Sequence, residues 1–398
     1  MLVLDGDCSA ARAVTRSLGR AGHWVAVGVA QGAFASSAWS RYCQLRAIVP
    51  IPSIGATPFV EAVERFASEH AIDLIIPITD HTTWPLSRAL PHWQGPAILA
   101  LPSHKSIDLL ADKYRTLCLA RELEIPVPGT VLVRTRGELD QLKAWAFPIV
   151  VKDRFSVRWS GDKAIEGTVS YALSWDELVE KVDHRLAAVG DVLVQQFAPG
   201  KGIGYSCFAV GDECRLPFQW IRIREKNPRG SGSSARRSVP LHPQVAKWSN
   251  DLVRSAGFQG IAMVEYKHDP DTNAYVLMEV NARPWGSIQL PIHCGIDYPN
   301  YLVDWWLDGR QPPAKIDYST GINCRWLTAE LMHLENLWGG APPGWPHDYP
   351  GFFSNALRIC IPWYPGMRYD DLSLSDPLPG LAELAWWFQH RLGFGAHV

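Results

Sequence analysis

The chain has 398 residues, of which 47% are hydrophobic and 20% charged, as expected for a globular protein of about two or three domains. Its formal net charge of −2 argues against a general nucleic-acid-binding protein. No run approaches the ~20 apolar residues of a membrane span, and the first residues resemble a strand more than a secretory signal. Eight cysteines without a Cys-x-x-Cys pair predict reduced thiols in a cytoplasmic protein.

Residues 1–102 alternate predicted strands and helices. The predicted strands cover residues 2–4, 24–29, 73–77 and 96–102, and the predicted helices cover residues 10–21 and 59–70. This alternation predicts a parallel sheet covered by helices. The first turn lacks the Gly-x-Gly-x-x-Gly pattern, and Asp7 would repel a pyrophosphate, so a dinucleotide oxidoreductase is disfavoured.

The middle of the chain mixes strands, helices and polar segments. We expect two short helices within 103–123, a strand and a helix within 129–147, strands at 147–152, 167–172, 192–197 and 205–210, helices at 174–188 and 243–256, and a hairpin of strands 260–267 and 275–280. Segments 153–166 and 222–238 read as loops, the second one basic. Beyond residue 312 the sequence is rich in Trp, Pro and Gly, and only a helix near 381–392 is predicted.

The most informative segment follows the apolar run that begins at Val276. Glu279, Asn281 and Arg283 alternate there, so they share one face of the predicted strand. Burying such groups unpaired would cost several kcal/mol, and we therefore expect them to converge on a charged ligand. Carboxylate and amide oxygens suit Mg²⁺, and a neighbouring guanidinium suits a phosphoryl group. A solvated edge strand is disfavoured because the intervening residues are apolar.

The ordered set of motifs resembles the ATP-grasp superfamily, in the group that carries a pre-ATP-grasp domain. The likeness extends over about residues 1–310 and is carried by Asp112-Lys-Tyr114, Pro148-Ile-Val-Val-Lys152, Val194-Gln-Gln-Phe-Ala-Pro-Gly200, Glu265, and the segment Glu279 to Ser287. It implies an α/β and α+β fold. A Rossmann-like parallel-sheet domain would occupy residues 1–102 and a two-lobed ATP-grasp domain residues 103–310, with its small lobe at about 146–197. Residues 311–398 would form a C-terminal extension of unknown role.

In that superfamily two lobes clamp ATP, and the resemblance assigns roles by position. Lys113 and Lys152 would contact the phosphates, Gln195, Gln196, Phe197 and Ala198 would form the adenine hinge, Glu265, Glu279 and Asn281 would hold Mg²⁺ (or Mn²⁺), and Arg283 would steady the transferred phosphoryl group. The basic segment 222–237 is expected to grip phosphate or a substrate carboxylate, which makes Arg236 a second catalytic candidate.

Three positions depart from the superfamily pattern. The flap 153–166 contains only Gly161, Gln196 stands where a hinge glutamate is usual, and Ile203 lies near the usual place of a ribose-binding acid. The choice of nucleotide is therefore less well specified than the metal site.

The resemblance implies a ligase that activates a carboxylate with ATP and couples it to an amine. Its partners would be small-molecule carboxylate and amine substrates, with no nucleic acid, no membrane span and a homodimer as an option. His242 and His293 are candidates for proton transfer from the amine, although a lone histidine is more often structural. Two alternatives remain open: an ATP-binding sensor or scaffold with little turnover, and a carboxylase-like enzyme that activates bicarbonate.

Overall fold

The structure, a computed structural model, describes residues 1–391. The helices are α1 (Ser9–Arg20), α2 (Ala56–Glu69), α3 (Asp80–Ala89), α4 (His104–Ala111), α5 (Lys113–Glu122), α6 (Trp175–Val189), α7 (Pro243–Ser255), α8 (Gln289–His293), α9 (Tyr298–Asp308), α10 (Leu327–Trp338), α11 (Phe352–Ile359) and α12 (Leu378–Arg391). Helix α12 begins before the predicted position, and Leu392 lies outside the described residues.

The strands belong to four sheets. They are β1 (Leu2–Val3), β2 (Val25–Ala30), β3 (Cys43–Val49), β4 (Leu74–Ile76), β5 (Ile98–Leu99), β6 (Thr130–Val133), β7 (Ile149–Lys152), β8 (Val157–Ser160), β9 (Lys163–Glu166), β10 (Val169–Ala172), β11 (Val192–Gln196), β12 (Lys201–Val210), β13 (Glu213–Glu225), β14 (Ser233–Val239), β15 (Gly260–Asp269), β16 (Ala274–Asn281), β17 (Asn323–Arg325) and β18 (Met367–Tyr369).

The N-terminal sheet is parallel throughout, in the order β3-β2-β1-β4-β5. This confirms the α/β expectation for the N-terminal part of the chain. The sequence did not reveal β3, because this edge strand alternates exposed residues such as Gln44 and Arg46 with half-buried ones. Strands β1 and β4, in contrast, are completely or almost completely buried, and their continuous apolar runs identified them.

The small lobe is an antiparallel sheet, ordered β10-β7-β11-β6, with α6 packed on one face. Helix α6 begins as predicted: the Ser174 hydroxyl accepts a hydrogen bond from the Glu177 amide at 3.3 Å. The core between sheet and helix is aliphatic and includes Val151, Leu178 and Val194. Strand β7 thereby delivers its last residue, Lys152, to the lobe's inner edge.

The large lobe is a seven-stranded sheet with the order β16-β15-β12-β13-β14-β17-β18. The prediction of a loop at 222–238 is wrong, because β13 runs to Glu225 and β14 begins at Ser233. The basic side chains of these strands meet acids from distant segments, which a local reading of the sequence does not reveal. Two of the strands, β17 and β18, come from the C-terminal extension, which therefore completes this sheet.

The flap 153–166, predicted as a loop, is largely the hairpin β8–β9. Gly161 has φ +59° at its turn, the left-handed value that a two-residue hairpin turn of type II′ requires. The hairpin docks on the N-terminal part of the chain: the rings of Trp159 and Trp84 stack at 4.9 Å with 1° between their planes. His81 Nε2 and Glu166 Oε1 lie 2.6 Å apart beside them.

Buried charges attach the C-terminal extension to helix α1. Arg16 donates from Nε to Asp376 Oδ2 at 2.8 Å, and its other nitrogens donate to three carbonyl groups between 370 and 376. Arg12 is paired with Glu383 of α12. Through residue 391, no helix has the length and apolar character needed to cross a bilayer. All eight cysteines are free thiols.

Candidate active site

Two carboxylates from neighbouring strands form the centre of the site. Glu265 on β15 and Glu279 on β16 are cross-strand partners in the antiparallel ladder. A register shift follows Glu265, so Met278 as well as Glu279 lines the cavity on this face. The predicted pair of carboxylates is thus brought together by the hairpin that the turn at 269–273 closes.

Four cationic side chains surround these carboxylates. Lys113 begins α5, Lys152 ends β7, Arg222 lies on β13 and Arg283 follows β16. Lys113 Nζ is 4.0 Å from Glu279, and Arg222 is ion-paired with Glu265. Segments far apart in the chain therefore contribute to one concentrated positive site.

The pKa values reflect this balance. Burial alone would raise the pKa of Glu279, but Lys113, Lys152, Arg222 and Arg283 outweigh burial and hold it below its ordinary value. Burial raises the pKa of Glu265; Arg222 opposes that effect and Glu279 reinforces it. The two acids lie among the same cations, but these cations stabilise the charged form of Glu279 more than that of Glu265.

Lys152 lies almost completely inside the protein and is 6% exposed. Burial and the nearby Lys113 lower its pKa to about 8 from 10.5, against the opposing attraction of Glu279. Within the described residues, its ammonium group has no hydrogen-bond or ion-pair partner. A buried lysine in this condition gains a large electrostatic stabilisation when an anion arrives.

Lys113 is held in place by the start of its helix. Asp112 caps α5 by accepting from the amides of Tyr114 and Arg115, and it also binds Arg154 of the flap. Lys113 Nζ donates to Ser156 Oγ of the same flap at 2.8 Å. The flap therefore contacts Lys113, the residue expected to bind phosphate, although it lacks the several glycines that many relatives have there.

Three of the four predicted hinge residues, Gln195, Phe197 and Ala198, line a cavity of about 270 Å³ between the lobes, together with both lysines and both glutamates; Gln196 does not line it. Gln195 is buried and donates to Thr130 Oγ1 at 2.7 Å, while its Oε1 has no partner. The exposed Gln196 donates from its backbone N–H to the Gly129 carbonyl at 2.8 Å. Phe197 and Ala198 line the cavity rim, and the Phe197 ring stacks on His347 of the extension at 4.4 Å.

Asn281 lines a smaller cavity of about 30 Å³, next to Glu279, Lys113 and Asp80 and beneath the flap. Arg283 donates to Asp80 Oδ2 at 2.9 Å, at the first residue of α3. The three predicted metal ligands, Glu265 on β15 and Glu279 and Asn281 on β16, therefore lie on the same hairpin.

The donor set suits a hard cation: two carboxylates and one amide oxygen, with the amide of Asn281 making no side-chain hydrogen bond in the described structure. In the residues described, there is no group of three or more His, Cys, Asp or Glu side chains that could hold a metal ion. A cation here would take its other ligands from water and phosphate, as Mg²⁺ usually does. Glu265 would then exchange its contact with Arg222 for the metal.

The structure does not bring Arg236 to this site. Its guanidinium is buried on β14 and ion-paired with Asp370 of the extension. The histidine candidates also have other partners: His242 caps α7, and His293 Nε2 lies 3.1 Å from the Tyr369 carbonyl. Arg222, from the same basic segment, lies beside the acids instead.

Sequence reasoning missed Arg222, Asp80 and Ser156. Arg222 carried a signal, because it opens the basic segment, but only the folded sheet shows that its guanidinium reaches Glu265 across β12. Asp80 follows the predicted strand 73–77 at the carboxyl edge of a parallel sheet, which is where such sheets place functional side chains. Ser156 had no distinguishing sequence signal.

Comparison with known proteins agrees with this architecture. The sequence model of the family described as "ATP-grasp in the biosynthetic pathway with Ter operon" matches residues 191–330. D-aspartate ligase of Enterococcus faecium is 22% identical over 283 residues, 67% of each chain.

Solved structures with the same fold include an L-amino acid ligase from Bacillus licheniformis and N5-carboxyaminoimidazole synthetase from Staphylococcus aureus. The first has a TM-score of 0.57 at 16% identity and covers 78% of this chain and 77% of its own. The second has a TM-score of 0.62 at 14% identity and covers 86% of both chains. A two-lobed clamp behind a parallel-sheet domain is the fold they share. The family match, the ligase relative and these structures together support the resemblance to the ATP-grasp superfamily.

Proposed function

We propose that this protein is an ATP-dependent ligase that activates a carboxylate as an acyl phosphate and couples it to an amine. The observation that carries the proposal is the pair Glu265 and Glu279 inside a ring of four cations, at the end of an interlobe cavity. Such a site matches a nucleotide whose phosphates are held by the cations and whose base lies in the apolar part of the cleft. The ligase names of the D-aspartate and L-amino acid relatives support the reaction class.

ATP would lie along the 270 Å³ cavity with its base between Val150, Tyr171 and Met278, against the backbone of the hinge. Lys152 and Lys113 would hold the phosphates as point charges. Glu265, Glu279 and Asn281 would hold Mg²⁺, which neutralises phosphate charge when bound. The metal has no further role in the proposed reaction.

In the first step a carboxylate oxygen of the substrate attacks the γ-phosphorus, and the bond to the β–γ bridging oxygen breaks, releasing ADP. Arg283, fixed by Asp80, would stabilise charge on the phosphoryl group in transit. In the second step the amine nitrogen attacks the acyl carbon, phosphate leaves with the former carboxylate oxygen, and the nitrogen loses a proton. No protein nucleophile is required, because positioning and charge neutralisation supply the catalysis.

The test is nucleotide product analysis. Purified protein would be incubated with Mg²⁺-ATP and a panel of D- and L-amino acids, offered singly and in pairs, beside a Glu279→Gln variant. We expect ADP and phosphate only from the active enzyme, together with a product whose mass is that of the two substrates minus water. Release of AMP and pyrophosphate would contradict the acyl phosphate. ATP binding without turnover across the panel would favour the sensor.

A further inference from the structure

A second cavity, of about 100 Å³, adjoins the nucleotide cavity and shares Arg222, Gly232 and Glu265 with it. Its walls combine the apolar side chains of Trp220, Met263 and Trp326 with charged and hydroxyl-bearing ones. Trp326 belongs to the C-terminal extension, so the extension contributes a wall to a pocket that begins at Glu265. The proposed reaction needs its acid substrate at this end of the nucleotide.

Lys226 supplies a second cation to this cavity. Its Nζ lies 4.8 Å from the centroid of the Trp326 ring. Among residues 1–391 its ammonium group has no hydrogen-bond or ion-pair partner, whereas Arg222 is paired with Glu265 and Glu225. Burial, together with Arg222, lowers the pKa of Lys226, against an opposing effect of Glu383. Lys226 is thus half-buried, and its charge is met by the Trp326 ring and the field of Glu383 but by no direct ionic partner.

The surroundings of Lys226 are fixed even though its ammonium is free. Its amide donates to the Gly232 carbonyl at 2.9 Å, and its carbonyl accepts from Asn336 Nδ2 at 3.1 Å. The Trp326 indole donates to Glu383 Oε1 at 2.7 Å, and Glu383 is in turn paired with Arg12. A lysine held at both backbone groups and directed over a fixed ring is preorganised for a ligand.

We propose that this cavity is the subsite for the acid substrate and that Lys226, with Arg222, binds its carboxylate; the inference rests on the proposed ligase function. The substrate class is a small organic acid of amino-acid size. A volume of about 100 Å³ is well below the roughly 300–1,000 Å³ of sites for drug-sized ligands. The indole and thioether walls accept a short apolar group, and the cations select for an anion.

The test compares Lys226→Met with Lys226→Arg, and with Lys247→Met as a control for loss of an exposed lysine. Calorimetry in Mg²⁺ and a non-hydrolysable ATP analogue would measure the binding of acetate, propionate, glycine, alanine and aspartate, the last two as both enantiomers. We expect Lys226→Met to weaken the acids that bind wild-type protein by at least ~tenfold. Nucleotide affinity should stay within ~twofold, and Lys226→Arg should recover part of the loss.

Unchanged acid binding in Lys226→Met, or a wild-type protein that binds none of these acids, would overturn the assignment. The result also separates this inference from the ligase proposal. Acid binding that depends on Lys226 without ADP release would leave the subsite and refute the ligase. ADP release with an unchanged KM for the acid in Lys226→Met would leave the ligase and refute the subsite.

Discussion

Glu265 and Glu279 face each other across neighbouring antiparallel strands, yet each is neutralised by a different cation. Arg222 binds Glu265, and Lys113 lies 4.0 Å from Glu279. Like charges at directly opposed positions destabilise a sheet. The hairpin tolerates this pair because it lies within a larger group of cations, an arrangement suited to binding a metal and phosphate rather than to stabilising the fold.

Glu279→Gln should abolish turnover while leaving the fold intact. The substitution keeps the shape of the side chain but removes the charge that the surrounding cations stabilise, and we expect a loss of at least ~100-fold in kcat. ADP release and circular dichroism would be measured together. Glu213→Gln, at the exposed start of β13, is the matched control and should keep full activity. Wild-type rates in Glu279→Gln would refute the metal assignment.

Arg283→Ala should separate catalysis from binding. Arg283 would act on the phosphoryl group in transit, so its removal should reduce kcat by ~10²-fold or more and leave ATP affinity within a few fold. Steady-state kinetics and calorimetry with a non-hydrolysable analogue would provide the two values. Asp80→Asn, which keeps Arg283 but removes the charge of its partner, should give a smaller loss. Similar decreases in kcat and affinity in Arg283→Ala would instead assign it a simple binding role.

ATP affinity should fall as pH rises above about 8, the pKa of Lys152. Below that pH the lysine is already protonated and ready to bind phosphate; above it, binding must first take up a proton. The affinity should therefore decrease by up to ~tenfold per pH unit, with net proton uptake on binding. Calorimetry in buffers of different ionisation enthalpy measures both quantities. Lys152→Arg, charged throughout, should flatten the profile, and an equally steep profile in that variant would place the titration elsewhere.

Trp159→Leu should loosen the flap. The stack with Trp84 contributes roughly 0.5–1.5 kcal/mol beyond its buried area. Amide hydrogen exchange in residues 157–166 should become faster, and KM for ATP should rise because Ser156 no longer steadies Lys113. Trp39→Leu replaces an exposed tryptophan in the N-terminal region that contains Trp84, and it should change neither the hydrogen exchange of the flap nor the KM for ATP. Unchanged exchange in the flap would show that the stack does not hold it closed.

Asp376→Ala should destabilise the whole molecule. It would leave the buried guanidinium of Arg16 without its ionic partner, a change that typically costs about 3–5 kcal/mol. Ser40 Oγ and the Arg41 amide would also lose their acceptor. The free energy of unfolding in urea would provide the value, with exposed Asp317→Ala as the reference. A loss below ~1 kcal/mol would mean that the extension is not anchored through this pair.

The sequence predicted those parts of the site that local patterns determine. Glu279 and Asn281 alternate at the end of an apolar strand, so its period of two indicated them, whereas Lys152, at the end of β7, was indicated by the resemblance to the superfamily. The N-terminal parallel sheet followed from its apolar strands. The edge strand β3 was missed because the exposed residues Gln44, Arg46 and Ile48 interrupt its inward-facing ones, so it has no continuous buried apolar run.

What the sequence could not supply are the long-range pairings of charges. Arg222 and Arg236 look alike along the chain, but the first binds Glu265 and the second binds Asp370, 134 residues away. Likewise β17 and β18 are only three residues each, and they form because β14 presents a free edge. Neither the charge pairings nor these two short strands produce a periodic pattern in the sequence. The contribution of the C-terminal extension to the sheet is therefore visible only in the structure.

An acyl phosphate passes one carboxylate oxygen to phosphate, and an isotope experiment detects that transfer. An acid that supports ADP release would be labelled with ¹⁸O in its carboxylate and turned over with Mg²⁺-ATP and an amine. The account predicts that one labelled oxygen per turnover appears in inorganic phosphate, and that Glu279→Gln transfers none. Label in AMP would demonstrate an adenylate intermediate, and phosphate free of label would mean hydrolysis by water; either result would contradict the account.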